Sequence, residues 1–288
     1  MNIEFASKLP TRLPTKARVY ALNAPKVSAT QLRALAARLE PKAKPHEMIA
    51  GDRLLGASVG RWQVEAHKAS GAWMALHRDR YGIDEGGEFD LDDRAAAAAA
   101  RRYAKSLDLL GDGRSSGDFE LLAVTHLRTA GADLADKREA PRLLDAGVLF
   151  GRRIDGLPVF GPGGQAMVHL AAGGELVGAR RVWRPLGRGI ATVKVQSVAW
   201  ATERLAEHLK RTMQGDVKVL KSQFGYLEFG ALDRQTSIEP VFAFTYTVQL
   251  GEVRSKHVHV LPASGEAHGR LTGSRRFPAA RQPKRRGD

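Results

Sequence analysis

The chain has no cysteine, which excludes disulfides, thiol nucleophiles and thiolate metal ligands together. It also has no apolar run near the roughly 18 residues of a membrane-spanning helix. Residues 1–24 lack the apolar core of a secretion signal. They carry Lys8, Arg12, Lys16 and Arg18 around Pro10 and Pro14 instead, and residues 1–18 are expected as an extended basic lead-in. A cytoplasmic location is the default. Catalytic signatures are missing as well. His46-Glu47 is followed by alanine at position 50, so the zinc motif H-E-x-x-H is not completed. The glycine runs Gly161–Gly164 and Gly111–Gly113 lack the lysine and helix start of a phosphate-binding loop. Glu85 with Glu88, and Asp90 with Asp92 and Asp93, fit a loop and a helix start. Neither an enzyme nor a cofactor is expected.

What is present begins with size and charge. A chain of 288 residues, 43% hydrophobic and 26% charged, has the composition of a globular protein and the length of two ordinary domains. The net charge of +14 is uneven: seven basic residues fall in 270–288, against Asp288 alone. With Pro278 and Pro283 and little to bury, residues 263–288 are expected as a disordered basic tail. Arg275, Arg276, Lys284, Arg285 and Arg286 are its candidate polyanion contacts. The body stays positive without them.

Local patterns predict a helix capped by Ser28, with Leu32, Leu35, Ala36 and Leu39 on one face. Strands are expected over 59–66 and 72–77, turned at Ser70-Gly71. A long helix follows over 91–110, with acids at its start, six alanines in its middle and Gly111 after it. The glycine- and serine-rich segment 112–118 marks a domain boundary. Beyond it come a strand over 119–128, a second amphipathic helix capped by Ser197, and strands over 217–229, 238–250 and 253–261. The aromatic face Phe242, Phe244 and Tyr246 is expected in the core. Two domains follow, 19–111 and 119–262. The expected class is α+β, with a helix packed on a curved antiparallel sheet in each domain.

The segment Ile154–Arg184 carries three short strands broken by glycine turns at Gly161–Gly164 and Gly173-Gly174. Its run Gly156-Leu-Pro-Val-Phe-Gly161 resembles the strand-and-hairpin signature of propeptide modules of the fungalysin and thermolysin type. The two capped helices, each leading into a hairpin, resemble PepSY-type domains of cystatin-like topology. The resemblance covers roughly 150 residues and implies inhibitory, sensor or binding modules with no shared catalytic residues. An extracytoplasmic site and a peptidase or envelope-protein partner would go with it.

The function expected is a non-catalytic binding or regulatory module that engages a partner protein through sheet edges and hairpins in its second half. Arg180, Arg181, Trp183 and Arg184 are the candidate partner contacts, read as an exposed basic alternation. The alternative is a nucleic-acid or other polyanion binder. Arg152, Arg153 and Arg188 add to the basic cluster, and Trp183 offers a ring for base stacking. His257 and His259 share one strand face without a third ligand recognisable by spacing.

Overall fold

The computed structural model describes residues 2–7, 10, 12–43, 45–83, 89–114, 117–130 and 141–271, except the side chains of 45–47. In chain order the elements open with β1 (Ile3–Phe5), β2 (Lys16–Leu22) and α1 (Ala29–Leu39). Four strands follow: β3 (Pro45–Ala50), β4 (Leu54–Val59), β5 (Trp62–His67) and β6 (Trp73–His77). Then come α2 (Asp93–Ser106), β7 (Asp118–Thr129), β8 (Arg142–Ile154), β9 (Leu157–Phe160), β10 (Gln165–Leu170), β11 (Leu176–Val182) and β12 (Leu186–Lys194). The chain continues through α3 (Val198–Thr212), β13 (Asp216–Leu227), β14 (Ser237–Ile238), β15 (Pro240–Leu250) and β16 (Val253–Pro262).

Among the described residues strand accounts for 47% and helix for 17%. Thirteen strands form one mixed sheet whose main path runs β16-β15-β13-β9-β8-β10-β11-β6-β5-β4-β3. β1 joins β13 in parallel, and β7 pairs with β8. β12, β2 and β14 make a separate three-stranded sheet. This overturns the expected pair of helix-on-sheet domains. β11 pairs with β6, placing Gly178 opposite Leu76 and Arg181 opposite Trp73, so strands from the two halves share one ladder. The end of the expected basic lead-in enters a strand: Lys16–Leu22 pairs with β12, whose register partners Leu186 to Lys194 lie far along the chain.

Local chemistry sets the helices. Ser28 accepts from the Gln31 amide while the Gln31 side chain accepts from the Ser28 amide, a capping box that starts α1. Asp92 and Ser197 cap α2 and α3 by accepting from Ala95 and Trp200. α2 presents Ala96, Ala99, Ala100 and Ala104 to the sheet, small side chains that let it lie close to Val148 and Val168. α3 instead sets Leu205 and Leu209 on Phe242, Phe244 and Tyr246, the aromatic face expected in the core. The Asp155-Gly156 turn joins β8 to β9 with φ of 51° and 74°, the left-handed pair that a type I′ hairpin requires.

Candidate functional site

The four residues expected to meet a partner do not form one surface. Arg180 and Arg181 are neighbours on β11, so their side chains leave opposite faces of the sheet. Arg180 lies in a cross-strand row with Met74, Met167 and Leu149, on the face away from α1 and α2. Arg181 lies in the row of Trp73 and Ala166 on the helix side. Trp183 is buried and donates its indole N–H to the carbonyl of Leu109 at 2.8 Å. Its ring meets Phe119 at 5.9 Å and receives Arg181 at 4.7 Å and Arg152 at 5.6 Å. It therefore anchors the end of β11 to the turn after α2.

Arg184 is fully buried, as is Arg152, and the two share the carboxylate of Glu228. Arg152 Nη1 donates to Glu228 Oε2 at 2.7 Å, and the Arg184 amide donates to Oε1 at 2.6 Å. The Arg184 guanidinium also donates to the carbonyls of Phe229, Gly230 and Asp233. Burial pulls the Arg184 pKa down, and Glu228 opposes that shift. The Gly161–Gly164 loop closes over this cluster. A methyl at Gly161 or Gly163 would collide with the carbonyl of Glu228 or Phe229, so glycine is needed there for close approach rather than for phosphate binding.

A second polar cluster ties the small sheet to the β8–β9 turn. Tyr20 donates to the Asp155 carboxylate at 2.7 Å. Tyr226 donates to the Arg18 carbonyl at 3.0 Å, with Asp155 Oδ2 3.3 Å away. Burial and then the Asp155 carboxylate push the Tyr20 phenol up to about 12 and raise that of Tyr226 as well. Both phenols stay protonated at neutral pH, so they act as struts and not as bases.

The histidines of β16 have a neighbour that spacing did not reveal. His208 of α3 stacks on His259 with ring centroids 3.8 Å apart, while His257 stacks on Tyr246 and its Nε2 lies 2.8 Å from Ser255 Oγ. Parallel stacking turns the ring edges of His208 and His259 alongside one another, unlike the convergent geometry of a shared metal. Among the described residues no group of three or more His, Asp or Glu is arranged to hold a metal ion. His46 and Glu47 lie on strand backbone with side chains outside the described set, and Glu85, Glu88 and the tail residues Arg275, Arg276, Lys284, Arg285 and Arg286 lie outside the described residues altogether.

Two features have binding character. The first is the free edge of β7. It pairs only with β8 among the described residues, and Leu121–Leu127 contains no acid or cationic Lys or Arg. Leu121, Leu122 and Leu127 are exposed, and a bulge at Leu122 lays that side chain over Gly151. The second is a cavity of about 300 Å³ between α1 and the β6–β11 ladder, lined by Arg181, Arg38, Lys26, Asp108 and Trp73. No helix among the described residues is long and apolar enough to cross a membrane.

No family model matches the chain, and no curated protein matches it by sequence. Among solved structures it is similar to an uncharacterized protein from Eubacterium rectale ATCC 33656, with a TM-score of 0.57 and 12% identity over 92% of this chain and 90% of that one. That likeness is one of fold.

Proposed function

We propose that the protein is a non-catalytic binding module whose β7 edge accepts an extended segment of a partner protein by strand addition. The carrying observation is the uncharged stretch Leu121–Leu127 on a strand with one unpaired side among the described residues and three exposed leucines. Edges of this kind are costly to leave open, and proteins usually blunt them with charge. β16, another edge, carries Arg254 and Lys256; the centre of β7 carries nothing comparable. A partner strand would gain main-chain hydrogen bonds from the edge and side-chain contacts from the leucines. The propeptide-type resemblance is compatible with such a role, and a peptidase or envelope protein is the partner class it suggests.

The test is selection of extended peptides from a random displayed library on the full chain. Selected peptides should alternate apolar residues and protect the amides of Leu121–Leu127 from hydrogen exchange. The double variant L121K/L127K should bind them at least about tenfold more weakly. Peptides that protect another segment, or that bind the double variant equally well, would refute the edge. A polyanion reading has one observation of its own: Arg53, Lys68, Arg234 and Arg270 meet at a cleft of about 450 Å³, where the basic tail begins. Its mark would be binding to single-stranded DNA that weakens steeply with salt.

A further inference from the structure

We infer that the cavity between α1 and the β6–β11 ladder is a binding site for a small organic acid, a carboxylate carried on an apolar body. It is separate from the β7 edge and does not rest on the strand-addition reading.

The starting point is an arginine without a partner. The Arg181 side chain makes no hydrogen bond or ion pair with any described residue, and its Nε is enclosed with no acceptor. Its guanidinium face is occupied by the Trp183 ring at 4.7 Å, but stacking leaves the in-plane N–H donors unused. A guanidinium held this way costs free energy unless an anion arrives to meet it. The two fully buried arginines among the described residues, Arg152 and Arg184, instead share Glu228.

The surroundings select the anion. Arg38 and Lys26 line the same cavity, against the single carboxylate of Asp108. Asp108 attracts Arg181 yet forms no ion pair with it, and it sits at a positive φ of 54°, a backbone state that aspartate tolerates better than most residues. Net positive lining favours a negative ligand, and the planar donors of Arg181 suit a carboxylate. The remaining wall is apolar, with Trp73, Leu35, Leu32 and Leu107 among its residues. A volume of about 300 Å³ lies at the small end of ligand sites, which admits an aromatic or short-chain acid and excludes a folded domain. Ser28 and Gln31 also border the cavity but are committed to each other in the capping box.

Calorimetric titration of the full chain with benzoate, octanoate, their amides and inorganic phosphate tests the site. The acids should bind at least about tenfold more tightly than the matching amides and than phosphate. R181Q should reduce acid binding to the level of the amide, R38Q should weaken it several-fold, and R33Q, which removes a charge from the outer face of α1, should leave it unchanged. If R181Q does not fold, R38Q and K26Q carry the charge test, with the shift of the Trp73 indole N–H resonance on adding benzoate as the second readout. Absence of acid binding, equal binding of acids and amides, equal binding of phosphate, or acid binding indifferent to R38Q and R181Q would each overturn the inference.

Discussion

Arg181 and Arg184 stand three residues apart at the end of one strand, and both are drawn into the protein, yet they end in opposite circumstances. Arg184 reaches Glu228 and three backbone carbonyls; Arg181 reaches only the face of Trp183. The first arrangement is a joint. It ties β11 to the chain following β13, beneath the glycine loop that follows β9, and any ligand that displaced it would have to unfold the region. The second is an unfilled demand for an anion at the wall of a cavity. Burial of a charge therefore says little about function by itself. What separates scaffold from site is whether the protein supplies the counter-charge.

The largest way to break this contrast is to remove the shared carboxylate. Glu228→Gln keeps the side-chain shape while removing the carboxylate that Arg152 and Arg184 share in a fully buried setting. Taking one partner from such a cluster typically costs about 3–5 kcal/mol. Urea unfolding at neutral pH should show a loss of that order with an unchanged m-value. A loss below about 1 kcal/mol would mean that the backbone carbonyls alone satisfy the arginines.

A smaller effect extends the comparison to a group that can be switched. His208 and His259 stack between α3 and β16, and burial lowers both pKa values, that of His259 to about 4. Arg211 lowers His208 further, and His208 does the same to His259. Because the folded value lies below the unfolded 6.5, the unfolded chain binds the extra proton more readily. The stability is fully present above pH 6.5 and is lost as pH falls from 6.5 toward 4. Discounted for partial exposure, the loss is on the order of 1 kcal/mol. Measuring stability against pH for the wild type and His259→Gln isolates it: the variant should be flatter in that window, and parallel curves would exclude the histidine pair.

Much of the local structure was legible because its causes are local. The caps at Ser28 and Ser197 bond three residues ahead, and the Gly173-Gly174 turn requires positive φ; such signals survive in a short window of sequence. The sheet was not legible as a whole. Nothing near Arg18 announces Thr192 as its register partner, nor does anything near Leu76 announce Gly178. Charged residues in Lys16–Leu22 made a strand resemble a solvated lead-in, since its alternation could be read only with β12 beside it. The arginines failed for the same reason. Arg180, Arg181 and Arg184 share a basic pattern in one dimension, and only the fold sends them to an open face, a cavity and the Glu228 joint. The candidate cavity draws on Lys26, Arg38, Asp108 and Arg181, a set that no linear spacing brings together.

The smallest predicted change in stability is also the sharpest, because its sign is informative. Arg181→Met keeps the length of the stem and its contact with Trp183 but removes a cation that has no ion pair among the described residues. Replacing a poorly compensated, partly buried charge with an apolar group of similar volume is often neutral or stabilising, so the change should fall between roughly zero and a gain of about 1 kcal/mol. Arg184→Met, by contrast, leaves Glu228 with Arg152 alone and three carbonyls without their donor, and should be destabilising by about 2–4 kcal/mol. Thermal and urea unfolding of the two variants side by side gives the answer. Equal losses would make Arg181 a structural residue like its neighbour, whereas a loss confined to Arg184→Met would show that the fold carries Arg181 at a cost, as a residue kept for binding.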